Sequence, residues 1–448
     1  MGLPSIRSQF TRGLRFAILL GLLLPRAISG QSQGPVLEEH QGLRKAGDII
    51  HILLPAVAGG TAAVKRDWTG AKQFGFSFGA ASGTVFGLKE IVEKDRPDAA
   101  DNRSFPSGHT MMSFSGASFL QRRYGNKLGI PALAAASFVG FTRIKGQKHF
   151  ADDVIAGAGI ALLYNYWLVK PLHKNVQIQP LSKDGGYGAQ LTAHWSAASL
   201  FPSRRRLADD NNDDAPDDQR LPYRIAFEFG VADWRRLEVQ APPDFGTPLS
   251  LERGERNVTP TARIEFEWEV RDRHELNFWW APLEGRDFEL GFDEDVSFGG
   301  AIFPAGQRTA ARARFGEVAA RYRYALVDTP RVALRLGVTV SGSDTIATLA
   351  QDQEEIFREI TVRQAIPLAH GQLLYHLGKG VHALGELDWI QLSRKTAHTS
   401  YFAGLRWAPR RNWDFDFGYR NLSRRLDEDE LKNRITIDYF AFGFGYSF

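Results

Sequence analysis

Two periodicities divide the chain. Between residues 31 and 172 apolar positions run in long stretches rich in alanine and glycine, such as 49–64 and 128–141, without strict alternation. That spacing predicts helices. His51, Pro55 and Pro131 interrupt them, so packed core helices are expected rather than lipid-spanning ones. Val176 and Ile178, then Leu191 and Ala193, flank Asp184-Gly185-Gly186, which predicts a short hairpin. An acidic run between Asp209 and Asp218 follows Arg204-Arg205-Arg206. It lacks the glycine and terminal glutamate of a calcium-binding loop and is expected to be a solvated linker.

Beyond Tyr223 the period becomes two. Ile225, Phe227, Phe229 and Val231 alternate with Ala226, Glu228 and Gly230, and Ile264, Phe266, Trp268 and Val270 alternate with Arg263, Glu265, Glu267 and Glu269. The pattern recurs at 332–340, 401–407 and 413–419. A soluble sandwich would alternate in the same way. Three further features predict a membrane barrel instead. Aromatic residues sit near the strand ends, among them Trp279, Trp280, Trp389, Trp407 and Trp413. Short turns at Asp272, 328–330, 378–380 and 408–411 alternate with longer connections at 284–310, 342–362 and 423–432. The last segment, 439–448, is aromatic and ends in Phe448. About ten strands fit, an even number as closure requires. Charges such as Arg263, Glu265, Glu267 and Arg321 would fill the narrow lumen, which favours an anchor over a pore.

Export is expected from the first thirty residues. Arg7, Arg12 and Arg15 precede an apolar run at 16–24, and Ala27 and Ser29 then provide a small-residue cleavage site. The expected organisation is multidomain: a signal peptide at 1–30, an all-α helical bundle at 31–175, a hairpin and linker at 176–222, and an antiparallel transmembrane β-barrel at 223–448. A net charge of +4 over 448 residues gives no reason to expect nucleic acid as a partner. Cysteine is absent, so catalysis must rest on histidine, carboxylate and basic side chains.

Those groups converge in one stretch. Lys89 and Arg96, seven apart, would offer two positive charges from one helical face to a phosphate, with Pro97 ending that helix. In Ser107-Gly108-His109 the glycine lets backbone amides approach phosphate oxygens at a helix start. His149 and Asp153 are four apart, so the carboxylate can hold one imidazole nitrogen and leave the other free to attack phosphorus. His109 would then protonate the leaving alkoxide, and Arg143 would complete the cationic clamp. The remaining histidines, His51 and His370 among them, are expected to be structural.

In these residues the chain resembles the type-2 phosphatidic acid phosphatases, which share their site with bacterial acid phosphatases and vanadium haloperoxidases. The shared pattern is K-x6-RP, then PSGH, then SR-x5-H-x3-D. It is matched here by Lys89, Arg96-Pro97, 106–109, Arg143, His149 and Asp153, with Thr142 in place of serine. The resemblance covers residues 45–170. It implies a phosphohistidine at His149 that water hydrolyses, no metal or other cofactor, and vanadate as a transition-state mimic. It also implies a phosphorylated lipid or small phosphoester as substrate. With the barrel and the export signal, it predicts a phosphatase of the outer membrane whose catalytic domain faces the periplasm. A vanadate-dependent haloperoxidase and an outer-membrane pore are the alternatives.

Overall fold

The computed structural model describes residues 41–172, 175–183, 186–194, 221–240, 249–250 and most of 258–448. The expected signal peptide and acidic linker lie outside the described residues. Five helices come first: α1 (Gln41–Val64), α2 (Trp68–Ile91), α3 (Gly108–Tyr124), α4 (Asn126–Lys145) and α5 (Ala151–Leu168). Each carries a stretch without Asp, Glu, Lys or Arg, at 49–64, 73–88, 110–121, 128–142 and 154–169. The longer ones are about 24 Å at 1.5 Å per residue.

Glycine and alanine set how closely these helices pack. A Cβ on Gly116 of α3 would lie 2.6 Å from the Leu54 carbonyl oxygen of α1, and one on Gly157 of α5 would lie 2.4 Å from the Ser107 carbonyl oxygen. A polar clasp closes the bundle end near α1 and α3. Arg123 donates to both Asp67 carboxylate oxygens at 2.6 Å, Tyr124 donates to Asp67, and the Asp67 pKa falls to about 2, chiefly through Arg123. Helices α3 and α5 are the packed core helices expected from sequence, whereas α1, α2 and α4 expose apolar side chains that such helices would bury. Only 22% of the apolar window of α1 is buried, and Ile52, Val57, Phe76, Phe86 and Ile130 are exposed.

The hairpin forms where expected, with β1 (Asn175–Lys183) pairing antiparallel with β2 (Gly186–His194). The barrel strands follow: β3 (Tyr223–Gln240), a two-residue β4 (Leu249–Ser250), β5 (Val258–Arg271) and β6 (His274–Gly291). A small hairpin, β7 (Val296–Phe298) and β8 (Ala301–Phe303), precedes β9 (Arg308–Asp328), β10 (Val332–Gln351), β11 (Ile356–Gly378) and β12 (Val381–Gln391). Then come β13 (Thr396–Arg410), β14 (Trp413–Glu428) and β15 (Leu431–Ser447). Ten strands pair antiparallel with their neighbours, and β15 closes on β3 with Phe444 opposite Phe227. Closure leaves no free sheet edge.

Alternation decides what each wall holds. The inward face is polar: Arg420 is bidentate to Glu228 at 3.0 and 2.7 Å, Arg406 to Asp416 at 2.7 and 2.8 Å, and Arg321 reaches Asp388 at 2.5 Å. Farther along the lumen, Phe298 and Phe303 of the β7–β8 hairpin are buried among Trp234, Phe315 and Ile437. Lumen side chains and this plug therefore fill the barrel among the described residues. That filling speaks against the pore.

Two sequence expectations are corrected. Trp279 is not on the outer face: it lies between Arg263 and Arg321 and donates to Glu317 at 2.9 Å, because adjacent residues of a strand face opposite sides. Trp280 takes the outer face. The connections placed at 342–362 and 423–432 are mostly strand, since β10 runs to Gln351, β11 starts at Ile356, β14 runs to Glu428 and β15 starts at Leu431. Their outer faces lose hydrophobicity while the inner alternation and the hydrogen-bonded ladder continue.

Helix α5 is the joint between the two parts. Ile155 and Ala156 pack with Phe227, Ala262, Phe415 and Phe444, all on the barrel's outward-facing positions. A Cβ on Gly159 would lie 2.8 Å from the Phe229 ring. Gly159→Val is therefore expected to loosen this joint by ~1–3 kcal/mol of overpacking. The check is thermal unfolding of the full chain in detergent. A lowered helical melting point with unchanged barrel resistance to SDS is expected, and an unchanged helical transition would contradict the packing.

Candidate active site

The site forms where α2, α3, α4 and α5 end together. Helix α2 stops at Ile91, and Val92 is extended (φ −104, ψ 99). Lys94 then bridges to Arg103 across a loop, with Ser104 N–H donating to the Lys94 carbonyl at 2.9 Å. Lys89 and Arg96 are thus not two turns of one helix, as their spacing suggested. The helix ends early because Lys94 is drawn inward, whereas Pro97 restricts only the residue before it. Arg96 sits in the loop, its Nε donating to Asp101 Oδ1 at 2.6 Å. Lys89 and Arg96 still converge, since both positive charges bear on His149.

The Asp153 carboxylate is the centre of the arrangement. It is fully buried and accepts from Ser104 Oγ at 2.5 Å, from the Phe150 amide at 2.8 Å and from Lys94 Nζ at 2.9 Å. Lys94 also donates to both oxygens of buried Asp152 at 2.7 Å. With two anions beside it, the Lys94 ammonium stays charged despite burial, and its pKa is raised. His149 Nδ1 lies 3.5 Å from Asp153 Oδ2, a loose contact of the kind that tightens when substrate binds. Nε2 is left as the nitrogen available for attack. Burial lowers the His149 pKa more than Asp153 raises it, so the imidazole is neutral and nucleophilic near pH 7.

Ser107 caps α3: its Oγ accepts from the Thr110 amide at 3.4 Å and the Thr110 hydroxyl at 2.9 Å. Its own amide donates to the Asp153 carbonyl at 2.9 Å, which ties the start of α3 to α5. The amides of Gly108 and His109 remain at the open helix end, where an anion is favoured. The Ser107 hydroxyl and amide are thus both engaged within the fold.

A second cluster adjoins from α1, which the sequence reading left out. Asp48 accepts from Arg143 Nη1 at 2.6 Å and lies 3.5 Å from His109 Nε2. Arg143 Nη2 donates to the Arg44 carbonyl at 2.9 Å, so this guanidinium is engaged by α1 rather than left open. The His51 ring packs 4.1 Å from that of His109. Burial, then His51 and Arg143, lower the His109 pKa to about 3. Asp48, His51 and His109 present ligand atoms within 4.8 Å of one another, a set chemically able to hold a cation. Lys94, Ser104, Asp152, Asp48 and His51 were all missed. The Asp152-Asp153 doublet was the one usable signal, because two adjacent buried acids need a buried cation.

Lys94→Met removes the buried cation that those two carboxylates share. A loss of ~3–5 kcal/mol in stability of the helical unit is expected, read by thermal unfolding. An unchanged melting temperature would contradict the pairing.

Residues 70–177 match the PAP2 superfamily. Over 154 residues the chain is 25% identical to the lipid A 1-phosphatase of Porphyromonas gingivalis, covering 32% of this chain and 35% of that protein. It is 29% identical over 143 residues to the lipid A 4'-phosphatase of Helicobacter pylori, covering 30% of this chain and 72% of that protein. The chain thus spans about a third of the length of the first relative and about seven-tenths of the second. Among solved structures, Aquifex aeolicus LpxE aligns at a TM-score of 0.27 with 21% identity, over 34% of this chain and 93% of that one. The outer membrane protease OmpT of Escherichia coli aligns at 0.32 with 10% identity, over 51% of this chain and 97% of that one. The stretch that matches the PAP2 superfamily, residues 70–177, is thus followed in the same chain by a closed ten-strand antiparallel β-barrel.

Proposed function

We propose that this protein is an exported phosphatase, anchored in the outer membrane, that releases phosphate from lipid-linked phosphomonoesters or diphosphates through a phosphohistidine at His149. One observation carries the reading: a buried imidazole is oriented by Asp153 while Lys94 and Ser104 hold that carboxylate in place. The lipid A phosphatase relatives support a phosphorylated lipid as substrate.

In the first step His149 Nε2 attacks phosphorus and the bond to the leaving oxygen breaks. His109 gives that oxygen its proton. Its low pKa in the free site rises when a phosphate dianion arrives beside it, since a nearby negative charge favours imidazolium. In the second step His109 takes a proton from water, the hydroxide attacks phosphorus, and the phosphorus–nitrogen bond breaks to release phosphate and neutral His149. Lys89, Arg96 and the amides of Gly108 and His109 face the developing charge. Asp48 holds Arg143, and on this reading a phosphate oxygen replaces the carboxylate as its partner. No step passes through a metal or other cofactor. The export signal and a closed barrel with an apolar outer belt support the outer membrane. From sequence alone a periplasmic catalytic domain is the simplest placement.

His149→Ala is expected to lower phosphate release from p-nitrophenyl phosphate and phosphorylated lipids at least a thousandfold, with the fold intact by circular dichroism. Comparable activity in the variant would remove the nucleophile. Chelation by EDTA is expected to leave the rate unchanged, and loss restored by a divalent ion would contradict the metal-free route.

Burial, then Arg96, lower the Lys89 pKa to about 8. The ammonium attracts phosphate only when protonated, so kcat/KM is expected to fall as pH rises through about 8. Lys89→Arg should move that limb to higher pH. An unchanged limb would show that another group sets it.

A further inference from the structure

The barrel face that α5 covers is the one that elsewhere meets lipid. Phe227, Ala262, Phe415 and Phe444 share their outward parity with Val231, Phe417 and Phe440, which are 55%, 50% and 78% exposed. A domain in water would leave that wall to the bilayer. Here the helices stand against it. Their own outer surface continues the same belt, with Ile52, Val57, Phe76, Phe86 and Phe138 exposed. The longer charge-free stretches, about 24 Å, match the apolar band of outer-membrane barrels, about 25 Å tall. Charges gather only at the two ends: Lys65, Arg66, Lys127 and Lys170 at one, and Lys45, Lys89, Arg96 and Lys148 at the other.

The direction follows from which ends touch. The last turn of α5 meets the short-turn rim of the barrel: Trp167 packs 5.8 Å from Trp413 and Tyr166 packs 4.8 Å from Tyr446, while Arg122 donates to the Tyr446 hydroxyl at 2.9 Å. Gly159 sits at Phe227 and Phe229, about a third of the way along β3 from the short-turn rim. Asp153 lies in the first turn of α5, about 20 Å along its axis from Trp167, and His149 just precedes that turn. Short turns and both barrel termini mark the periplasmic rim of such barrels, and the far rim faces outward.

We infer that the helical unit lies in the same bilayer as the barrel, side by side with its outer wall, and opens the His149 site to the outward leaflet. The substrate is then a lipid of that leaflet carrying phosphate at headgroup depth, where Lys89, Arg96 and the amides at the start of α3 can reach it. The choice of substrate rests on the phosphatase reading. The placement does not.

Because the chain has no cysteine, single-cysteine variants report position directly. Glu93→Cys marks the site end, Lys127→Cys the other end, and Phe76→Cys the belt between them. In intact Gram-negative cells producing the full chain, a membrane-impermeant maleimide is expected to label Glu93→Cys and spare Lys127→Cys. Permeabilising the outer membrane should expose Lys127→Cys, and only detergent should expose Phe76→Cys. Labelling of Phe76→Cys as fast as Glu93→Cys in intact membranes would overturn the shared bilayer. Labelling of Lys127→Cys instead of Glu93→Cys, or of neither until permeabilisation, would overturn the outward leaflet. Phosphate release by the wild type from vesicles containing a phosphorylated lipid is measured separately. The expected labelling without phosphate release would overturn the lipid substrate and leave the placement standing.

Discussion

A single buried carboxylate organises the catalytic half of this molecule. Asp153 touches a lysine from the loop after α2, a serine from the segment before α3, and a histidine from the loop after α4. Removing a carboxylate from water is costly, and only such a set of donors offsets it. The same requirement fixes the backbone: it ends α2 early, closes the loop from Lys94 to Arg103, and holds the start of α3 against α5 through the Ser107 amide. The His149 ring is thus positioned by buried groups set behind it.

The barrel solves the complementary problem. Its charges are sealed inside in paired sets such as Arg420 with Glu228 and Arg406 with Asp416, and its apolar side chains are turned outward. Helix α5 connects the two solutions because it lacks bulk on both sides. Gly157 admits the Ser107 carbonyl that belongs to the site, and Gly159 admits the aromatic wall. A helix of larger residues could not touch both.

Much of this was legible in the sequence because the two halves obey different periods and the residues of the family pattern keep their spacing. Alternation gave the strands, the aromatic strand ends and the unequal loops gave their closure, and the spacing of His149 and Asp153 gave their contact. Other parts depended on long-range choices that no local pattern records. Lys94 is 58 residues from Asp152, and nothing near it marks it as buried. Asp48 and His51 come from α1, ahead of the segment that matches the PAP2 superfamily, and matter only because α1 lies beside α4. Trp279 was placed outside because hydrophobicity was read without its indole N–H, which needs Glu317. Helix α1 was read as core because composition does not record how much of an apolar helix the rest of the fold covers.

The central claim is that His149 carries the phosphoryl group. The most direct measurement is rapid quenching of the full protein during turnover of a radiolabelled phosphorylated lipid, followed by mapping of the labelled peptide. The expected result is a phosphoprotein, stable to alkali and labile to acid, with the label on the peptide containing His149 and absent from His149→Ala. An acid-stable label on another residue, or turnover with no labelled protein at any quench time, would contradict it.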